Sequence, residues 1–175
     1  MSKLNAPQLL KEFKEVFGDK MILSYGTVLW LVRNGHLHQD PHDDEDVIVR
    51  AEDLTEERVS ELVKRGFIIY HRLPMPNGVI GEISFIKDDQ KIDIYVAHRR
   101  ENEYYWAMYD GSWYFHRLPA KFIDKTEKLE WNDEAWLIPS PVEEYLEYTY
   151  GDWKKPVDHF DWRFDHGSYD KDFVL

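Results

Sequence analysis

Two acidic side chains lie two residues apart where a polar loop runs into an apolar strand. Asp44 and Asp46 precede the apolar run 47–49, and residues spaced i, i+2 on a strand point to the same side of a sheet. Carboxylate oxygens are the ligands that Mg²⁺ and Mn²⁺ prefer. The pattern therefore predicts a site for one or two of these ions. Because Asp43 adjoins Asp44, the residues alone leave open which of the two is the first ligand.

A Gly-Thr pair, Gly26-Thr27, opens a short predicted helix upstream of the acidic residues. Free backbone N–H groups at a helix N-terminus bind phosphate, so Gly26 and Thr27 are candidate substrate-binding residues. Arg33, near the end of the same helix, has two interpretations: it contacts a phosphate, or it stabilises the helix C-terminus as a cation. A phosphate cradle beside metal-binding carboxylates is typical of phosphoryl transfer.

The elements that position these residues alternate between helices and strands. Hydrophobic spacing predicts helices, and shorter apolar runs predict strands that end at turn residues. We expect helices over 8–17, 53–64 and 140–150, strands over 21–25, 67–70, 79–86 and 91–97, and a hairpin around Asp110-Gly111. Capping boxes are predicted to open the second and third helices at Asp53 and Ser140. The expected class is α+β, a mixed sheet with helices packed mainly on one face.

The composition of the chain limits the partners and the kinds of site that can be expected. The 175 residues have a hydrophobic content of 43% and a net charge of −12, which predicts one folded domain over 1–175, with a polar aromatic tail from 156. An acidic surface argues against nucleic acid as a partner, but not against a nucleotide whose charge a metal ion balances. There is no cysteine, which excludes disulfides and thiolate-bound zinc. No signal peptide or membrane span is evident, so we expect a cytoplasmic protein.

Three sequence blocks together resemble the LicD/fukutin-related family of the nucleotidyltransferase superfamily. The first is the run 26–35 beginning Gly-Thr together with the acidic stretch 43–46 entering its strand, the second is Ile92-Asp93-Ile94-Tyr95, and the third is 138–153, which ends Tyr-Gly-Asp-Trp. They occur in the family's order and cover roughly 22–156. The resemblance implies a nucleotidyltransferase fold, and it implies that Asp93, between Ile92 and Ile94, supplies a third catalytic carboxylate beside Asp44 and Asp46.

The same resemblance implies an activity. Such an enzyme would move a phospho-alcohol, of the phosphocholine or phosphopolyol type, from a CDP-linked donor to a sugar hydroxyl of a glycan. Two alternatives stay open. One is a nucleotidyltransferase that transfers a nucleoside monophosphate to a small molecule or protein. The other is a nucleotide- or metal-binding module without catalysis.

Two further groups of residues favour structural interpretations. His36, His38 and His42 could bind zinc, but their spacing lacks a second ligand pair, so we do not predict a zinc site. An aromatic strip could stack on a sugar or hold a quaternary ammonium; cross-strand packing in a hairpin explains it more simply. The strip consists of Tyr104, Tyr105, Trp106, Trp113, Tyr114 and Phe115.

Overall fold

The computed structural model describes residues 6–40 and 43–175, with five helices and nine strands labelled here. The helices are α1 (Ala6–Phe17), α2 (Tyr25–Asn34), α3 (Glu56–Lys64), α4 (Lys121–Asp124) and α5 (Val142–Tyr150). The strands are β1 (Met21–Leu23), β2 (Glu45–Arg50), β3 (Ile68–Pro74), β4 (Ile80–Lys87), β5 (Gln90–Arg100), β6 (Glu103–Tyr109), β7 (Trp113–Pro119), β8 (Thr126–Trp131) and β9 (Glu134–Pro139).

Seven strands form one mixed sheet. Its order is β1-β2-β5-β4-β3, and β6 and β7 extend it beyond the C-terminal half of β5. Strands β2 and β5 pair in parallel, while the other pairs are antiparallel. The predicted α+β class with a mixed sheet is confirmed. A separate hairpin of β8 and β9 was not predicted.

Alternation along the central strands separates an apolar face from a polar one. On β4 and β5, Ile83, Phe85, Ile92 and Ile94 are buried and lie on one face. Helix α1 packs on this face through Phe13, whose ring meets that of Phe85 edge-on at 5.6 Å between centroids. Since successive strand residues point to opposite faces, the residues between these apolar positions face the other side, where the candidate site lies.

The helix ends differ in part from the predicted capping boxes. Helix α3 is capped by Thr55, whose hydroxyl accepts from the Arg58 N–H, and the predicted cap, Asp53, lies in a preceding turn. At α5 the N-cap is Pro141, which makes no side-chain cap bond, and not the predicted Ser140; Glu127 of β8 accepts from the Val142 N–H instead. A distant carboxylate has taken the place of the local cap that the sequence predicted.

The C-terminal segment 156–175 runs across the outer hairpin. The Arg117 N–H donates to the Ser168 carbonyl, and the Asp170 N–H donates to the Phe115 carbonyl. His166 and Ser168 are buried, so this segment forms part of the core. Within the described ranges, every helix is too short or too polar to cross a membrane.

Candidate active site

A row of polar residues crosses four neighbouring strands on the face opposite α1. Asp46 of β2 is in register with Asp93 of β5, Asp93 is in register with Ser84 of β4, and Ser84 with His71 of β3. In-register residues of paired strands share a face. The structure thus brings together Asp46 and Asp93, which are far apart in sequence.

Asp44 completes a group of three carboxylates. One oxygen from each of Asp44, Asp46 and Asp93 lies within 4.8 Å of the others. Asp44 is two residues before Asp46 on the same side of the chain, as predicted. Asp43 is directed elsewhere: its carboxylate lies 2.8 Å from His38 Nδ1. The geometry therefore favours Asp44 over Asp43 as the first ligand.

Two hydrogen bonds fix the carboxylate of Asp46. The Gly26 N–H donates to Oδ2 at 2.9 Å, and the Tyr95 hydroxyl donates to Oδ1 at 3.0 Å. A Cβ on residue 26 would lie 3.1 Å from that Oδ2, so glycine allows the backbone to approach the carboxylate closely. At the start of α2, the Gly26 N–H therefore orients a carboxylate, whereas the sequence had suggested that it binds a phosphate directly.

Thr27 lies behind the site. It is 2% exposed; its hydroxyl donates to Glu45 Oε2 at 2.9 Å and accepts from the Asp46 N–H at 2.8 Å. These bonds attach the start of α2 to β2. The position of Thr27 supports Asp46 through the backbone, and its hydroxyl does not face the cavity described below.

An ammonium group lies between two of the carboxylates. Lys91 Nζ is 2.5 Å from Asp44 Oδ2 and 2.9 Å from Asp93 Oδ2. Lys91, Asp93 and Tyr95 alternate along β5, so all three face the same side of the sheet. The lysine supplies positive charge at the place where the carboxylates converge.

Burial and mutual repulsion shift the carboxyl pKa values apart. Burial, followed by the charges of Asp44 and Asp93, raises the pKa of Asp46 well above its ordinary value. Burial and the charge of Asp44 raise the pKa of Asp93 to about 7. Burial alone would raise the pKa of Asp44, but its hydrogen bond with Asp93 and the charge of Lys91 lower it. The carboxylates therefore repel one another, and Asp44 stays ionised because its hydrogen bond with Asp93 and the charge of Lys91 lower its pKa.

A cavity of ≈ 990 Å³ opens over the carboxylates, at the upper end of the range for small-molecule sites. Arg33, Lys91 and Lys155 contribute cationic side chains to its lining. Arg33 also donates to the Trp153 carbonyl at 3.3 Å, so it links α2 to the segment after α5. Aromatic rings line the cavity as well, namely Trp30, Tyr109, Tyr150, Trp153, Phe160 and Trp162.

The two described histidines near the acidic loop, His36 and His38, have separate hydrogen-bond partners. His36 Nδ1 lies 2.8 Å from the Leu37 carbonyl, and His38 pairs with Asp43. Their rings contact Trp30. His42 lies outside the described residues. Among the described residues, neither His36 nor His38 belongs to a group of three metal-binding side chains.

Sequence reasoning missed four residues at the site. Lys91 and Tyr95 flank Asp93 at i−2 and i+2, so strand periodicity could have found them once Asp93 was suspected. His71 and Glu82 lack such a signal, because their positions depend on how β3 and β4 pair. All four line the cavity.

Removal of the lysine charge should strengthen metal binding. Lys91→Met is expected to raise the affinity for Mn²⁺ at least about tenfold, because a unit charge about 4 Å from another is worth several kcal/mol at an effective dielectric of about 20. The same change should lower the metal-free melting temperature. Calorimetric titration and thermal melts check both. Lys155→Met, also at the cavity but 81% exposed at its side chain, is the control. Weaker Mn²⁺ binding by Lys91→Met would show that the lysine supports the metal site instead of competing for it.

The raised pKa of Asp93 predicts a pH-dependent stability in the absence of metal. An acid whose folded pKa is raised to about 7 stabilises the fold at low pH, and this contribution is lost as pH rises through 7. Buried His116 and His166 act in the opposite direction, because burial lowers their pKa values. Because these histidines titrate as well, the prediction compares two proteins. Between pH 5 and 8, the free energy of unfolding of the wild type should fall relative to that of Asp93→Asn. Chemical unfolding of both proteins in chelator measures it, and parallel pH profiles would contradict it.

Comparisons with known proteins give the fold and no closer relationship. No family model matches the sequence, and a comparison with curated protein sequences found no match. The chain resembles the crystal structure of a Thermotoga maritima protein provisionally assigned as a nucleotidyltransferase, with a TM-score of 0.53, 14% identity and 85% of each chain covered. The chain has a nucleotidyltransferase-like fold. The LicD/fukutin-related assignment gains no support from these comparisons and stays a resemblance of three sequence blocks.

The donor set of the three carboxylates fits a divalent metal ion. Asp46 of β2, Asp93 of β5 and Asp44, just before β2, offer oxygen ligands, which suit Mg²⁺ or Mn²⁺. Asp93 is 4% exposed, and a buried carboxylate is costly unless a cation balances it. Lys91 already balances part of this charge, which indicates that the site is suited to a cation.

Proposed function

We propose that the protein is a metal-dependent transferase that takes its transferred group from a nucleotide donor. The observation that carries the proposal is the convergence of Asp44, Asp46 and Asp93 within 4.8 Å on the floor of a cavity large enough for a nucleotide. The fold supports it, since the likeness to the Thermotoga maritima protein spans most of both chains. The charge pattern also supports it, because cationic side chains stand around an acidic floor.

The protein's own groups have separate tasks in this proposal. Asp44, Asp46 and Asp93 would hold Mg²⁺ or Mn²⁺, and a bound ion would neutralise the donor phosphates and make an attacking hydroxyl more acidic. Gly26 and Tyr95 fix Asp46, so the carboxylate needs little rearrangement. Arg33 and Lys155 would bind donor phosphate oxygens through charge-assisted hydrogen bonds. Thr27 would act indirectly, by holding α2 to β2.

Asp93 has a second possible task as a proton acceptor. In the metal-free protein its pKa of about 7 lies near neutral pH, where a general base is most effective, and a bound cation would lower that pKa. A hydroxyl that attacks the donor would lose its proton to this carboxylate or to solvent. In phosphoryl transfer, however, positioning and charge neutralisation supply most of the acceleration, so we give Asp93 primarily the role of ligand.

The transferred group distinguishes two versions of this function. The order of the three sequence blocks favours a phospho-alcohol transferred from a CDP-linked donor to a hydroxyl of a glycan or small molecule. The structural likeness favours nucleotidyl transfer, in which a nucleoside monophosphate goes to the acceptor. The two reactions break the same kind of phosphoanhydride bond but attack different phosphorus atoms.

Product analysis separates these versions. The protein is incubated with Mn²⁺ and either a CDP-alcohol or a nucleoside triphosphate, with simple sugars and polyols as acceptors. Release of CMP with formation of a phosphodiester supports phospho-alcohol transfer, while release of pyrophosphate supports nucleotidyl transfer. If no donor turns over while a nucleotide or the metal ion still raises the melting temperature, a binding module without catalysis explains the site better.

Divalent ions should stabilise the protein more than their ionic strength explains. Ligands that bind only the folded state raise its stability, and repulsion among the three carboxylates leaves room for such a gain. We expect MgCl₂ or MnCl₂ to raise the melting temperature by several degrees beyond NaCl of equal ionic strength. Thermal melts after chelator treatment make this comparison. Equal shifts from both salts would indicate screening without a specific site.

A further inference from the structure

A second group of metal-binding side chains adjoins the three carboxylates. His71, Glu82 and Asp93 each offer one ligand atom within 4.8 Å of the other two. They come from the adjacent strands β3, β4 and β5, and all three line the cavity. Asp93 belongs to both groups, so its two oxygens lie between them.

The local structure of β3 turns His71 toward this group. The pairing of β3 with β4 shifts register between Ile69 and His71, so that Tyr70 is the extra residue of a bulge. A bulge changes the direction of the side chains that follow it. His71 becomes the partner of Ser84, on the polar face, while Tyr70 remains 63% exposed.

The polar atoms around His71 include more hydrogen-bond acceptors than protons that can be shared among them. His71 Nε2 lies 2.6 Å from Ser84 Oγ and 2.9 Å from Glu82 Oε1. Ser84 has a single hydroxyl proton, and its Oγ lies within hydrogen-bond distance of Asp93 Oδ1 and Glu82 Oε1 as well as of His71 Nε2. One imidazole nitrogen therefore faces two oxygen atoms with at most one proton of its own. Lone pairs from an imidazole, a hydroxyl and two carboxylates converge on the same small volume.

Glu82 also lacks a strong cationic partner. Its side chain is 8% exposed and pairs with His71. In the part of the chain that the structure describes, no lysine or arginine nitrogen lies within 4.0 Å of its carboxylate. A buried carboxylate is retained at considerable cost unless a cation or several hydrogen bonds compensate it. Lys91 balances the charges of Asp44 and Asp93, whereas Glu82 has no lysine or arginine beside it among the described residues.

We propose that His71, Glu82 and Asp93 form a second metal site, which shares Asp93 with the first and selects a transition-metal ion such as Mn²⁺ or Zn²⁺. Imidazole with two carboxylates suits these ions, while all-oxygen ligands suit Mg²⁺. The two sites differ accordingly: Asp44 and Asp46 contribute only oxygens, and the second site adds a nitrogen. The inference extends the metal site of the proposed function, with which it has Asp93 in common.

Metal stoichiometry tests the second site without any turnover. The full chain is treated with chelator and titrated with Mn²⁺, and free Mn²⁺ is followed by its electron paramagnetic resonance signal. We expect two equivalents in the wild type. Glu82→Gln and His71→Gln should each weaken one equivalent at least about tenfold, as even supporting residues of metal sites do, and keep the other. His98→Gln, which removes an imidazole elsewhere on β5, should keep both.

A spectroscopic measurement on the wild type shows whether any histidine nitrogen binds the metal, and the His71→Gln variant then assigns that nitrogen. In protein labelled with ¹⁵N-histidine, electron spin echo modulation of bound Mn²⁺ should show nitrogen coupling, and His71→Gln should remove it. One equivalent of Mn²⁺ in the wild type, or two equivalents with no nitrogen coupling, would overturn the proposal. Two equivalents with nitrogen coupling in a protein that transfers nothing from any donor would uphold this site and refute the proposed function.

Discussion

Asp46→Asn should abolish turnover with whichever nucleotide donor the protein uses. Asp46 is the carboxylate that the structure fixes most firmly, through Gly26 and Tyr95. The amide keeps the shape of the side chain but loses the charge that holds a cation. Metal ions supply several kcal/mol of transition-state stabilisation, and each 1.36 kcal/mol is tenfold in rate. We therefore expect a loss of at least about a thousandfold in kcat, together with weaker Mn²⁺ binding.

The fold of this variant should persist. Burial and the neighbouring carboxylates raise the pKa of Asp46 well above its ordinary value, so removal of its charge relieves repulsion in the metal-free protein. The melting temperature in chelator should equal or exceed that of the wild type. Asp43→Asn is the matched control. It removes one charge three residues away, from a carboxylate that pairs with His38. Unchanged Mn²⁺ affinity in Asp46→Asn, or a large loss in Asp43→Asn, would reassign the ligands.

Asp93→Asn should have the second largest effect, and it should act mainly on kcat. Asp93 lies beside Asp46 in the parallel pair of β2 and β5 and contacts Lys91. In the proposed function, donor binding would also use Arg33 and Lys155, so the donor Kd should change less. An interaction made chiefly in the transition state lowers kcat and kcat/KM together. We expect a fall of about 10²- to 10³-fold in both, comparable to the loss of one preorganised electrostatic group.

Steady-state kinetics and a separate measurement of the donor Kd check this expectation. Asp133→Asn, in the exposed turn between β8 and β9, removes a charge far from the site and should behave as the wild type. A rise in donor Kd that accounts for the whole loss of kcat/KM, with kcat unchanged, would make Asp93 a binding residue. It would then have no special role in the reaction.

The positions of the first two carboxylates could be predicted from the sequence because they rest on short-range patterns. Asp44 and Asp46 have strand spacing, and the glycine turn lies close enough in sequence to suggest a shared site. Asp93 could be placed only through resemblance to a family, since a lone aspartate between isoleucines is common. The parallel pairing of β2 with β5 then brings it to Asp46, as that resemblance implied.

What the sequence could not supply depends on tertiary pairing. A register shift in β3 places His71, and no local pattern encodes it. The cap of α5 comes from Glu127, a carboxylate on another strand, so the local Ser140 signal was misleading. Hydrogen bonding also decides the task of Gly26 and Thr27, because their donors turn to Asp46 and Glu45. A Gly-Thr pair at the start of a helix is equally compatible with direct binding of a phosphate.

The β8–β9 hairpin was not predicted for a different reason. Its turn residues, Asn132 and Asp133, both have positive φ, at 54° and 59°, and this residue pair is typical of a tight hairpin turn. The flanking residues alternate between polar and apolar, with Leu129 and Trp136 opposite each other. The signal was therefore present in the sequence, and the hairpin could have been predicted.

Crystallography with Mn²⁺ and a non-hydrolysable nucleotide would show whether the three carboxylates bind a metal ion beside a nucleotide phosphate. Anomalous scattering locates manganese without relying on turnover or on knowledge of the acceptor. We expect an anomalous peak from a manganese ion that Asp44, Asp46 and Asp93 coordinate, with a phosphate oxygen of the nucleotide as a further ligand inside the cavity. A nucleotide bound elsewhere, or manganese absent from these three carboxylates, would contradict it.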